Sequence, residues 1–130
     1  MQNGKSILIV EDEHFISELY DRALQKAGHK VTIAMSGTDG LQAALKQNFD
    51  LVLLDILVPG ISGIDVLEKI RENDKVTNTH TKVIITTNLD QDEPTREKLE
   101  RTADGYLVKA EITPNELVEV VDEFLNHKNN

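Results

Sequence analysis

Polar side chains stand where the short apolar runs of this sequence end. Glu11 and Asp12 follow the run SILIV, and Asp55 ends the run DLVLLD. Thr87 ends KVIITT, and Lys109 ends GYLVK. Carboxylates that are brought together repel one another and raise one another's pKa unless a cation compensates. Because oxygen ligands without histidine or cysteine suit a magnesium ion that keeps several waters, the acidic residues indicate a magnesium site.

The hydroxyl and the ammonium group have a different chemistry. Thr87 and Lys109 are of the wrong type to bind a metal cation, but both can receive the anionic oxygens of a phosphoryl group on Asp55. Carboxylates act as covalent nucleophiles in phosphoryl transfer, where the protein mainly positions the reactants and stabilises charge. The pattern therefore indicates that Asp55 is a phosphate acceptor.

Alternating strands and helices would position these residues. The apolar runs predict strands over 6–10, 30–35, 50–55, 82–87 and 105–109, and helical patterns predict helices over 13–27, 38–47, 63–73, 94–102 and 113–126. The fourth helix has little apolar surface beyond Leu99 and Ala103, so loose packing is expected. Strand–helix units of this length with right-handed crossovers build a doubly wound, five-stranded parallel sheet in the α/β class. Ligands bind outside the carboxyl ends of such strands, so the polar side chains are predicted to converge.

Composition restricts the kinds of protein that fit. The chain of 130 residues is long enough for one domain, and the lack of cysteine excludes disulfides and thiolate metal sites. The 23 acidic side chains outnumber the 14 basic ones, which argues against direct nucleic-acid binding. The N-terminal segment fits neither a signal peptide nor a membrane span, so no membrane contact and a cytoplasmic location are expected.

Several segments resemble the receiver domains of bacterial two-component response regulators. ILIVEDE resembles the family's first strand with its acidic pair, and GYLVK resembles its last strand. DLVLLDILVPGISG is similar to its phosphoacceptor strand, with the spacing of Asp55, Pro59 and Gly63. The resemblance covers residues 5–126 and implies a flavodoxin-like strand order 2-1-3-4-5 in a single receiver domain, 1–130.

The resemblance implies a set of magnesium ligands. Asp55, the residue that would be phosphorylated, and Asp12 would bind Mg2+ directly. Glu11 would act through a water molecule, and the main-chain carbonyl of Leu57 would complete the site.

The resemblance also implies a conformational switch. Thr87 would be the switch hydroxyl, Lys109 the phosphate-pairing lysine, and Tyr106 an aromatic side chain that changes rotamer on phosphorylation. The surface of the fourth helix and fifth strand would then change shape. A buried structural hydroxyl at Thr87 and fixed core packing of Tyr106 are the alternatives.

The function that the resemblance implies is a signalling switch and not a general enzyme. The donor would be a sensor histidine kinase or a histidine phosphotransfer protein, and the chain would catalyse only its own phosphotransfer and slow autodephosphorylation. A stand-alone regulator, which would act through an unknown protein target, is expected. The receiver half of a larger DNA-binding regulator and a phosphate-independent interaction module are the alternatives.

Two other functions of this fold fit the residues poorly. An aspartate-nucleophile phosphatase needs a second acid two residues after the nucleophile, where this chain has Leu57. A flavodoxin-like cofactor binder needs hydroxyls and glycines after the first strand, where the acidic EDE would repel a phosphate.

Departures from the family pattern carry further expectations. Ala110 stands where most of the family has a proline in a cis peptide; because a cis bond before a non-proline residue costs about 3–4 kcal/mol, a trans peptide is predicted. Asn88 replaces a small residue and is expected to narrow the mouth of the site or to form a hydrogen bond across it. The polar stretch 72–82 is predicted to be a solvated loop.

Apolar side chains are expected to affect the lifetime of the phosphorylated form. Leu57 and Leu89 flank the site and cannot orient a hydrolytic water by hydrogen bonding, so we expect slow dephosphorylation. The histidines show no metal-ligand spacing and are predicted to be surface residues: His14, His29, His80 and His127.

Overall fold

The architecture is an alternating α/β fold, seen in a computed structural model that describes residues 4–88 and 91–126. Its elements are β1 (Ser6–Val10), α1 (His14–Lys26), β2 (Lys30–Ala34), α2 (Gly37–Lys46), β3 (Leu51–Asp55), α3 (Gly63–Thr77), β4 (Lys82–Thr87), α4 (Glu93–Thr102), β5 (Gly105–Val108) and α5 (Pro114–Asn126). The strands form one parallel sheet in the order β2-β1-β3-β4-β5. The predicted doubly wound sheet and its strand order are both confirmed.

The central strands β1, β3 and β4 each contain a run of consecutive apolar residues because helices cover both faces of the sheet. Leu8 and Val10 of β1 pack in a cluster with the apolar residues of α3, whereas Ile7 and Ile9 pack with residues of α1 and α5. Every residue of β3 is buried. These two apolar clusters, one on each face of the sheet, hold the strands in one register.

Register brings the carboxyl ends of the strands to a common edge. Val10 of β1 pairs with Leu54, and Asp55 pairs with Thr86 of β4. Thr87 pairs with Val108 at the end of β5. Residues that follow these positions, Glu11 and Lys109, therefore leave the sheet beside Asp55.

The end of α3 differs from the prediction. The helix continues to Thr77, so the predicted solvated loop over 72–82 is wrong for its first half. The Asp74 side chain is buried there and accepts a hydrogen bond from the Thr81 main-chain N–H at 3.1 Å. This contact holds the last turn of α3 against the segment before β4, and Asn78, which caps the helix after Thr77, has φ 57°. The polar composition of the stretch gave no sign of that buried contact.

The other boundaries shift by about one residue. β2 ends at Ala34, and β3 begins at Leu51. β5 ends at Val108 because Lys109 begins a short 3-10 helix. Helix α4 buries only Leu99, in agreement with the few apolar residues of its sequence. Among the residues that the structure describes, every helix is too short or too polar to span a bilayer.

Candidate functional site

A buried lysine joins two carboxylates at the common edge of the sheet. The Lys109 Nζ donates hydrogen bonds to Glu11 Oε1 and, at 3.1 Å, to Asp55 Oδ2. Glu11, Asp55 and Lys109 expose only 2%, 4% and 6% of their surface. Because an unpaired buried charge is costly, the positive charge compensates the two negative ones.

A third carboxylate opens the group to solvent. Asp12 is exposed, and oxygen atoms of Glu11, Asp12 and Asp55 lie within 4.8 Å of one another. Carboxylate oxygens in such a group, partly open to water, fit a hard cation such as Mg2+. The Leu57 main-chain N–H donates to Asp55 Oδ1 at 3.2 Å and fixes the orientation of that carboxylate. A metal-binding role for the Leu57 carbonyl stays a prediction.

Burial and neighbouring charges shift the pKa values of Glu11 and Lys109 in opposite directions. Burial raises the pKa of Glu11, although the Lys109 ammonium and the Glu13 main-chain N–H oppose that effect. Burial alone would lower the pKa of Lys109, but its hydrogen bonds and charge attraction to Glu11 and Asp55 raise that pKa overall. The lysine is therefore held in its charged form.

The close approach of α3 explains the spacing of the segment after β3. The Gly63 main-chain N–H donates to the Ile56 carbonyl at 2.9 Å, and a Cβ at Gly63 would overlap the Asp55 carbonyl oxygen. The Pro59 carbonyl accepts from the Gly37 N–H at 2.9 Å and ties the loop to α2. These contacts fix the backbone that carries Asp55.

The residues of the predicted switch lie on β4 and β5, the two strands that follow β3 in the sheet. Thr87 is buried at the end of β4. Tyr106 is half-buried, its hydroxyl accepts from the Gln91 main-chain N–H at 2.9 Å, and the Arg96 guanidinium lies 4.6 Å from its ring centroid. The sequence did not indicate Arg96 or Gln91, because neither contact follows a local pattern. The switch roles of Thr87 and Tyr106 stay predictions.

Asn88 bonds across the mouth of the site, as expected. Its Nδ2 donates to Glu13 Oε1 at 3.2 Å, and the Glu13 main-chain N–H donates to Glu11 Oε2 at 3.1 Å. The sequence did not indicate Glu13, since its partner lies 75 positions away. The Lys109–Ala110 peptide is trans, as predicted.

The expectation of surface histidines is wrong for His29. Its side chain is only 8% exposed, because Nδ1 accepts from the Lys5 main-chain N–H and Nε2 lies 2.7 Å from Asp122 of α5. His14 and His80 are exposed, as predicted. His127, like Leu89, lies outside the described residues.

Comparisons with known proteins agree with this geometry. The family described as "Response regulator receiver domain" matches residues 7–122. The transcriptional regulatory protein YkoG of Bacillus subtilis is 39% identical over 109 residues, which are 84% of this chain and 46% of that protein. The transcriptional regulatory protein AfsQ1 of Streptomyces coelicolor is 36% identical over 104 residues, which are 80% of this chain and 44% of that protein. The chain thus spans less than half the length of these relatives.

Solved structures show the same similarity. A CheY-like response regulator receiver domain protein from Methanospirillum hungatei superimposes with a TM-score of 0.83 at 31% identity, over 95% of both chains. The response regulator protein TrrA from Thermotoga maritima, in complex with Mg(2+)-BeF, gives a TM-score of 0.77 at 37% identity over 92% of this chain and 98% of that one.

Proposed function

The chain belongs to the receiver-domain family of response regulators, and we propose on that basis that it is a phosphorylation-activated switch of a two-component system. The observation that carries the proposal is the Lys109 ammonium group, buried between Glu11 and Asp55 with exposed Asp12 beside them. A reactive carboxylate, a cation for the transferred oxygens and a group of metal-binding oxygens are the parts that phosphoryl transfer to an aspartate needs.

The proposed reaction is transfer from a phosphohistidine donor. An oxygen of Asp55 attacks phosphorus, the P–N bond breaks, and its electron pair stays on the imidazole nitrogen. Lys109, 3.1 Å from Asp55 Oδ2, pairs with an oxygen of the arriving group, and Thr87 donates its hydroxyl to another. A magnesium ion held by Glu11, Asp12 and Asp55 supplies charge neutralisation when bound. The similarity to TrrA, whose structure contains Mg(2+)-BeF, supports this choice of metal.

The proposed output runs through α4 and β5. Thr87 moves toward the phosphoryl group, and Tyr106 responds because its hydroxyl is bonded to the segment between β4 and α4. The few apolar contacts of α4 make it easy to displace, since Leu99 is its only buried residue. A protein target then binds the altered surface.

The donor is a sensor histidine kinase or a histidine phosphotransfer protein. A cytoplasmic location follows from the family's role and stays a prediction.

One observation favours a second candidate, the receiver half of a DNA-binding regulator. The relatives YkoG and AfsQ1 are transcriptional regulatory proteins more than twice as long as the matched segment. In that case the altered surface of α4 and β5 would act on an attached output domain.

Intact-protein mass spectrometry tests the chemistry. Wild type, Asp55→Asn and the control Asp65→Asn, which removes an exposed carboxylate of α3, are incubated with acetyl phosphate with and without Mg2+. We expect one added phosphoryl group in wild type and in Asp65→Asn, only with Mg2+, and none in Asp55→Asn. A phosphoryl adduct on Asp55→Asn would show that another residue is the acceptor. No adduct in any sample would favour a phosphate-independent interaction module.

A further inference from the structure

A hydrogen bond joins two segments that the sheet holds apart. The Asn88 Nδ2 donates to Glu13 Oε1 at 3.2 Å. Glu13 follows the acidic pair after β1, and Asn88 directly follows Thr87 at the end of β4. Because β3 lies between β1 and β4 in the sheet, this bond crosses over the end of β3, where Asp55 lies.

The same bond connects to the buried charges below it. The Glu13 main-chain N–H donates to Glu11 Oε2 at 3.1 Å, and Glu11 Oε1 accepts from Lys109. Lys109 also contacts Asp55. The bridge between Glu13 and Asn88, which we call the 13–88 bridge, is thus attached to the groups that hold a phosphoryl group on Asp55 in the proposed function.

We propose that the 13–88 bridge slows hydrolysis of the phosphoryl group on Asp55 by obstructing the approach of water, and this inference rests on the proposed function. In hydrolysis a water oxygen attacks phosphorus, the bond from phosphorus to the Asp55 oxygen breaks, and its electron pair returns to the carboxylate. The water proton passes to solvent, and inorganic phosphate leaves.

The direction of attack places the bridge in the path. In-line displacement requires the attacking water to approach from the side opposite the Asp55 oxygen, which is the outer side of the strand end. Because Glu13 and Asn88 follow β1 and β4, the strands on either side of β3, the 13–88 bridge also lies beyond the strand ends. A small donor such as acetyl phosphate has its leaving group in the same outer position, so the bridge obstructs phosphorylation as well as hydrolysis.

The size of the effect follows from the exposure of the bridge. Glu13 and Asn88 are both exposed, and an exposed hydrogen bond to a charged group contributes little free energy. We therefore expect its loss to speed the two reactions about two- to fivefold. A variant with a damaged site would differ from one that has only lost the bridge, because damage to the site would slow phosphorylation of Asp55.

Decay of the phosphorylated protein after removal of acetyl phosphate is the measurement. Asn88→Ala and Glu13→Ala are each expected to lose phosphate about two- to fivefold faster than wild type and to be phosphorylated faster. The double variant should be no faster than either single one, because both changes remove the same bond. Glu13→Gln keeps an acceptor oxygen and should decay at close to the wild-type rate. Glu18→Ala, which removes an exposed acid of α1, is the charge control.

The possible results separate this inference from the proposed function. Absence of an adduct in wild type would overturn both. A wild-type adduct with unchanged decay in Asn88→Ala and Glu13→Ala would overturn the bridge alone. Additive effects in the double variant, or faster decay with slower phosphorylation, would also overturn the bridge, because they would show independent damage to the site.

Discussion

Lys109 supplies a positive charge between two buried carboxylates. Removal of one partner of a buried ion pair leaves uncompensated charge, which is typically costly. In the Lys109→Met variant, Glu11 and Asp55 would repel each other without compensation, and a bound cation would relieve that repulsion. The electrostatic role of the lysine can therefore be tested without any phosphoryl donor.

Lys109→Met is expected to lower the free energy of unfolding by about 3 kcal/mol in the absence of metal. Mg2+ should restore more stability in this variant than in wild type, because the metal replaces the missing cation. Urea unfolding with and without Mg2+ measures both effects. Lys98→Met, which removes an exposed lysine 3.6 Å from Glu68, is the control and should change little. Equal stabilisation of Lys109→Met and wild type by Mg2+ would contradict the expectation.

The residues of the site differ in how far sequence predicts them. Asp12, Asp55 and Lys109 follow from a topological rule, because polar residues at the ends of parallel strands meet at one edge. The 13–88 bridge does not follow from that rule. It depends on rotamers and on backbone positions that only the folded chain brings together. Burial of His29 was missed for the same reason, since its partner Asp122 lies on the last helix.

The junction of α3 with β4 is held by a partly buried polar network. Arg71 of α3 donates to Asp74 Oδ2 at 2.9 Å and to Asp104 Oδ2 at 2.9 Å. Asp104 also accepts from the Val83 main-chain N–H at 2.8 Å, which ties the turn before β5 to the start of β4. Burial alone would raise the pKa of Asp74, but hydrogen bonds from Thr81 and Arg71 outweigh burial and lower that pKa.

This lowered pKa gives the junction a defined pH dependence. A carboxyl group whose pKa is lower in the folded state contributes stability that is present above its unfolded value, near 3.9, and is lost as the pH falls through the folded value. Asp74→Asn should lower stability at neutral pH by roughly 2 kcal/mol and should weaken the dependence on pH below about 4. Urea unfolding at a series of pH values measures this. The exposed Asp39→Asn serves as a control, and an equal acid dependence in Asp74→Asn and wild type would argue against the assignment.

Sequence prediction was less accurate for the ends of helices and strands than for their types. Periodicity predicts α3 because its apolar residues repeat at helical spacing, but its last turn is polar and is held by Asp74 and Thr81. By contrast, Gly28 directly follows the predicted helix 13–27, and its φ of 99° is typical of a glycine just past a helix end. A glycine at a helix end is a local signal, whereas a buried side chain that bonds to the next strand is not.

The two glycines give a matched test of how elements position the site. Gly63→Ala would place a methyl group against the Asp55 backbone and should cost roughly 1–3 kcal/mol, with slower phosphorylation because Asp55 is displaced. Gly28→Ala meets no atom within 4 Å, but its positive φ should cost about 1 kcal/mol. We expect Gly28→Ala, at the far end of the sheet, to be phosphorylated at the wild-type rate. Equal phosphorylation rates in the two variants would show that α3 does not position Asp55.

At the scale of the whole molecule, this acidic chain exposes apolar side chains close to the candidate site. The net charge is −9, yet the Phe15 side chain at the start of α1, just after the acidic residues, is 73% exposed. Leu57 is 67% exposed beside Asp55. Exposed apolar side chains next to a site are a common feature of protein interfaces. In the proposed function a protein donor reaches Asp55 from this end of the molecule, so Phe15 is expected to contact it.

Phe15→Ala should therefore separate protein donors from small ones. Phosphotransfer from an autophosphorylated sensor kinase that phosphorylates the wild type should fall about tenfold, since a buried interface aromatic commonly contributes more than 1 kcal/mol. Phosphorylation by acetyl phosphate should stay at the wild-type rate, because Phe15 contacts no phosphoryl group in the proposed reaction. Val76→Ala, which truncates an 84% exposed side chain near the other end of α3, is the matched control. If Phe15→Ala slowed both donors equally, its side chain would support the site itself; if it slowed neither, the donor would bind elsewhere.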